Sequence, residues 1–229
     1  MSERTLNTVL VIGAHPDDPE FGCAATVAKW ASQGRTIDYV LLTSGDKGSH
    51  DPSKHPGEVA AQREEEQRAA AQELGVRSVL FLHYPDGLLE NTIELRRRLC
   101  ELIRTLRPDI LITIDPWRPY QLHPDHRAAG QAALDAAWAA REWYIFPEQL
   151  IDRDPWAVKE IYLFWTDNPD HWEDVSESMD RRIKALQRHS SQVGNRIEAV
   201  AKRIRQAAEE TGRPLGYRYA EAFKRIVLH

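Results

Sequence analysis

Only two cysteines, Cys23 and Cys100, occur in 229 residues, and neither stands in a CxxC pair. A disulfide framework and a cysteine-rich zinc site are therefore excluded. Both thiols are expected to be reduced and buried in helix-like segments. No stretch approaches the roughly 18 apolar residues of a membrane span. The first apolar run, TVLVIG at 8–13, gives way to His15-Pro16-Asp17-Asp18 and does not read as a secretory signal. Charge of one sign is lacking as well: 30 Lys and Arg face 35 Asp and Glu, for a formal net charge of −5. Nothing there draws nucleic acid or anionic lipid by bulk electrostatics. No repeat, linker or low-complexity tract interrupts the chain. The expectation is one cytoplasmic domain over 1–229, with a small-molecule substrate and neither nucleic acid nor membrane as partner.

What is present is alternation. TVLVIG (8–13), IDYVLLT (37–43), SVLFLHY (78–84) and DILITID (109–115) are short continuous apolar runs, as parallel strands covered on both faces require. VKEIYLFWT (158–166) reads as a fifth. Helical patterns lie between them at 21–33, 57–74, 92–106 and 124–140. Gly34 and Gly75 follow two of these, and Pro108 blocks continuation of the third. The order predicts an α/β fold: a Rossmann-like, three-layer arrangement of a mainly parallel sheet with helices on both faces. No GxGxxG follows the first strand, so a dinucleotide is not expected. Residues 176–189 and 192–210 read as charged amphipathic helices. They suit either a subunit interface in a homo-oligomer or a cover for the sheet. Residues 217–229 carry an apolar face.

In such sheets ligands bind beyond the carboxyl ends of the strands. Two clusters fall there: His15-Pro16-Asp17-Asp18 after the first run and His123-Pro124-Asp125-His126 after the fourth. Either alone suits a turn or a helix cap. Together they offer three histidines and three carboxylates, a donor set that suits zinc and equally ferrous iron. His15 and Asp18 are spaced to chelate one ion, and His126 to complete the set. Asp17, Asp125 and His123 are then free to act as base, acid or oxyanion stabiliser. Spacing alone does not make that division unique.

These motifs resemble those of the LmbE-like, PIG-L-type zinc N-deacetylases. AHPDDPEFGCAAT (14–26) matches the first family motif and HPDHRAAGQAA (123–133) the second. TSGDKG (43–48), YPDG (84–87), Arg63 in its Arg-Glu-rich helix and the terminal EAFKRI add support. The resemblance implies one zinc ion per chain on His15, Asp18 and His126, with Asp17 as general base. It implies that His123 stabilises the oxyanion, oriented by Asp125, and that Arg63 contacts substrate. Asp86 is a candidate for a substrate hydroxyl, with a plain turn as the alternative. The implied reaction is removal of an acetyl group from an N-acetylglucosamine conjugate or related N-acyl compound. The rivals are a metal hydrolase acting on another bond and a non-catalytic sugar-binding module. One departure stands out: Pro19 precedes the glutamate, so Glu20 is expected to support the site from behind or to start a helix. Trp117 and Tyr120 are candidates for a sugar-stacking wall. Trp165 is expected in the core, and His189 in a structural role.

Overall fold

The computed structural model describes residues 6–228. A seven-stranded sheet holds β1 (Thr8–Gly13), β2 (Thr36–Thr43), β3 (Ser78–Tyr84), β4 (Ile110–Ile114), β5 (Glu160–Phe164), β6 (His171–Asp174) and β7 (Ala220–Val227). The spatial order is β3-β2-β1-β4-β5-β7-β6. β1 to β5 pair in parallel, whereas β7 lies antiparallel to both β5 and β6. The helices are α1 (Asp18–Gly22), α2 (Ala24–Ser32), α3 (Pro56–Leu74), α4 (Ile93–Leu106), α5 (Pro124–Ala140), α6 (Met179–Arg188), α7 (Ser190–Val193) and α8 (Ile197–Gly212). α2, α3 and α6 pack together on one face of the sheet, and α4 packs with α5 on the other. The Rossmann-like layering read from the sequence is the observed one.

Local chemistry explains the boundaries. The α3 N-terminus carries a capping box between His55 and Glu58, and Gly75 closes its far end at φ 80°. Thr92 Oγ1 accepts the Leu95 N–H at the start of α4. The Ala-rich face of α5 packs against β4 so closely that a Cβ on Gly130 would stand 2.3 Å from Ile114 O. Glu221 on β7 accepts the Ala25 and Thr26 N–H groups and thereby caps α2 from the opposite end of the sequence.

Several expectations change. The helix read over 21–33 is two helices, α1 and α2, broken at Cys23. Cys23 sits at that junction and Cys100 on α4; both are buried and free. The helix read over 192–210 is α7, a 3₁₀ turn at Gly194–Arg196 and α8. The apolar run 78–84 is an edge strand, with Leu80 37% exposed, rather than one covered on both faces. Of the tail read over 217–229, residues Ala220–Val227 form β7, and His229 lies outside the described residues.

Strand order reverses between β1 and β4, the topological switch point where open α/β sheets bind ligands. Motif one leaves β1 there and motif two follows β4.

Candidate active site

Asp18 is the pivot of the site. Its Oδ2 accepts the N–H groups of Ala14 and His15, both at 2.9 Å. That anchoring leaves Oδ1 3.2 Å from His126 Nε2, while Oδ2 stands 3.6 Å from His15 Nδ1. The carboxylate therefore lies between two imidazoles, one from each motif. Burial alone would raise its pKa, but contacts to His126 and His15 overcome that and hold it well below the usual carboxylate range. His123 stacks on His126 with ring centroids 4.5 Å apart and meets His15 edge-on at 4.7 Å. One nitrogen from each of His15, His123 and His126 lies within 4.8 Å of the others.

The other nitrogen of His15 faces acids. Nε2 is 3.0 Å from Asp125 Oδ2 and 3.1 Å from Asp86 Oδ1. Burial lowers the His15 pKa, but the hydrogen bonds to Asp125, Asp18 and Asp86 outweigh it and push it up to about 12. Asp125 is held by the Gly87 and Leu89 N–H groups, and Asp86 by the Lys47 N–H. Asp125 thus orients His15 rather than His123. Asp86 likewise directs Oδ1 to His15 and Oδ2 to Lys47, although it lines the cavity.

Asp17 carries its own constraint: φ 97° and ψ −22°, in the left-handed region. Burial raises its pKa to about 6, against the pull of the Arg63 guanidinium 3.3 Å away. Arg63 is buried, not on a helix surface paired to glutamate. It donates to Gly45 O and Pro16 O, and the TSGDKG loop makes room for it. A Cβ on Gly45 or Gly48 would strike its Nη1 at 2.2 or 2.3 Å. His123 is exposed at the rim. Partial desolvation of its ring at the cavity mouth, with the charges of His15 and His126, lowers its pKa.

A cavity of about 990 Å³ opens from this cluster. His15, Asp17, Asp18, His123 and His126 line it together with Ile204 and Ala208 of α8. Trp165, expected in the core, lines the cavity and tilts against His126 at 5.1 Å. Trp117 and Tyr120 are 61% and 96% exposed and do not line it. Glu20 and His189 are fully buried and paired, Nε2 to Oε2 at 3.1 Å. Sequence reasoning passed over Lys47 and Gln67. Lys47 alone carried a signal, lying inside TSGDKG.

A divalent ion suits these donors. Two imidazoles and an anchored carboxylate converge, the His15 ring is held from behind by Asp125, and the buried His126 Nδ1 has no hydrogen-bond partner among the described residues.

Comparison with known proteins agrees with this arrangement. The family model described as GlcNAc-PI de-N-acetylase, PIG-L, matches residues 10–137, from β1 through α5. A diacetylchitobiose deacetylase of Thermococcus kodakarensis is 33% identical over 94% of this chain and 82% of its own length. A probable N-acetyl-alpha-D-glucosaminyl L-malate deacetylase of Bacillus anthracis is 28% identical over 89% of each. Among solved structures, the N,N'-diacetylchitobiose deacetylase of Pyrococcus horikoshii, bound to its inhibitor MPG, aligns with a TM-score of 0.92. It is 32% identical, covering 96% of this chain and 84% of that one. A 4-carboxy-2-hydroxymuconate hydratase of Pseudomonas putida aligns at 0.81 with 23% identity over 97% of each chain, a likeness of fold alone. With both charged motifs inside the matched segment, the chain belongs to the PIG-L family of de-N-acetylases.

Proposed function

We propose that this chain is a divalent-metal-dependent deacetylase, acting as a single domain on an N-acetylglucosamine conjugate. The observation that carries the reading is the separation of roles around Asp18. His15, Asp18 and His126 form a donor set, and Asp17 stands beside it with its own pKa pushed up to about 6. The names of the relatives support the N-acetylglucosamine class.

His15, Asp18 and His126 would hold the ion, zinc or ferrous iron. Such an ion supplies Lewis acidity to the amide carbonyl and makes water acidic enough to attack near neutral pH. The remaining steps belong to side chains. Asp17 takes the proton from the attacking water and returns it to the leaving nitrogen, so amide plus water gives acetate plus amine. Arg63 keeps Asp17 anionic and aimed at the cavity. His123, at the rim, hydrogen-bonds the oxyanion. Asp125 and Asp86 hold His15 so that Nδ1 faces Asp18.

The test is acetate and primary-amine release from N-acetylglucosamine conjugates. Metal-free protein is reconstituted with zinc or ferrous iron, and Asp17→Asn is run alongside. The expected result is metal-dependent release, with kcat lowered ~10²–10⁴-fold in Asp17→Asn and metal content unchanged. Full turnover by Asp17→Asn would remove Asp17 from the base role. Tight metal binding without release from any conjugate would overturn the substrate class.

A further inference from the structure

Gln67 lies fully buried on α3, one turn beyond Arg63. Its Oε1 accepts the Asp17 N–H at 2.8 Å. Its Nε2 donates to both oxygens of Glu20, at 3.0 and 3.1 Å. Glu20 in turn meets His189 Nε2, from the junction of α6 and α7. Arg63 donates to Pro16 O. Pro16 O and Asp17 N belong to the same peptide group. Two side chains four residues apart on one helix face therefore hold both polar atoms of the peptide that precedes Asp17.

That peptide needs holding. At φ 97° a residue with a Cβ is in a conformation its own sterics disfavour, and it stays there only where the surroundings enforce it. The direction of the Gln67 amide is also determined. A carboxylate only accepts, so Glu20 selects the NH₂ end and leaves the oxygen for Asp17. His189 Nε2 also bonds the Glu20 carboxylate, at Oε2. None of these three lines the cavity.

We infer that Gln67 is a positioning residue for Asp17, with Glu20 and His189 setting its amide orientation. The inference rests on the reading of Asp17 as the base. Without the Gln67 acceptor, the Asp17 N–H loses its partner and the turn relaxes toward negative φ. The Asp17 carboxylate then swings away from Arg63, and misplacement by ~1 Å costs a catalytic group on the order of 10²-fold.

Two variants test this. Gln67→Met keeps the length and removes both hydrogen bonds. Glu20→Gln combined with Gln67→Glu exchanges the partners. A carboxylate at position 67 still accepts the Asp17 N–H, and an amide at position 20 donates to it while its oxygen faces His189. The measurements are kcat and KM for amine release, bound zinc, thermal unfolding, and hydrogen exchange of the Asp17 amide by NMR.

Expected for Gln67→Met is a ~10–100-fold loss of kcat with KM and zinc content retained. Its Asp17 amide should exchange faster, and the exchanged pair should recover most of kcat. Unchanged kcat or unchanged Asp17 exchange in Gln67→Met would overturn the inference. So would a folded exchanged pair without recovery. If Gln67→Met does not fold, Gln67→Leu, which likewise lacks the acceptor, replaces it and is read by the same measurements. If the wild type releases no amine, the deacetylase reading fails. The exchange rate of Asp17 still decides whether Gln67 holds the turn.

Discussion

Arg104 on α4 is 1% exposed and has no carboxylate partner among the described residues. It donates instead to the carbonyls of Ala139, Ala140, Glu142, Ile145 and Phe146 and to Gln149 Oε1. α5 ends at Ala140, so two of these carbonyls belong to its last turn, where Arg104 adds a charged donor to the backbone N–H groups of Glu142 on Ala139 and of Trp156 on Ala140. Arg104→Met keeps most of the packing and strips every donor. Charged hydrogen bonds taken singly contribute ~1.5–3 kcal/mol each. Their sum is an overestimate, because the guanidinium regains hydration on unfolding and the loop carbonyls reach water once 141–149 loosens. By analogy with breaking a buried ionic pair, the net loss should be about 3–5 kcal/mol. At this chain length that corresponds to a Tm lowered by roughly 6–20 °C. Urea unfolding with an unchanged m-value, together with calorimetry, reads it directly. The C-terminus of α4 precedes β4, so Arg104 lies at the sheet end away from the candidate metal donors. Metal content and kcat well below the transition should therefore equal those of the wild type. A loss under about 1 kcal/mol would refute the reasoning, since it would mean water satisfies those carbonyls as well as Arg104 does.

Gly130→Ala forces a Cβ against the Ile114 carbonyl, a backbone atom that cannot step aside. It should cost about 1–3 kcal/mol and, by moving α5, weaken metal binding through His126; unfolding and zinc titration check both. Arg63→Met removes the cation that lowers the Asp17 pKa. That pKa then rises above about 6, so the acidic limb of kcat/KM should move to higher pH. A limb that stays put or moves down would exclude Arg63 as its determinant.

Short apolar runs made β1, β2, β4 and β5 legible, because strands covered on both faces leave little choice of residue. β3 was found for the same reason although it lies at an edge, since Leu80 and its neighbours are apolar without full burial. β6, only HWED, offers no apolar pattern, and its pairing depends on β7. The break at Cys23 was invisible because Phe164, on β5, occupies the space a side chain at Gly22 would need. Both charged motifs were readable as local strings. The partner of Asp125 was not: nothing in HPDH says whether its carboxylate turns to the neighbouring histidine or to one 110 residues earlier. Gln67 sits among many Glu and Gln residues on α3, and only the three-dimensional neighbourhood distinguishes it.

The cap that Glu221 places on α2 spans 196 residues of sequence to Ala25. Contacts so distant close late, since the entropy of joining the ends must be met before they contribute. The segment from motif one into α2 therefore reaches its final form only when β7 docks between β5 and β6. Arg182, which donates to Glu221 and to the Glu20 and Phe21 carbonyls, ties α1 to the same event. In refolding, metal affinity should appear with the last kinetic phase rather than with the parallel core. A chain cut before β7 should collapse around β1 to β5 and yet hold its ion poorly.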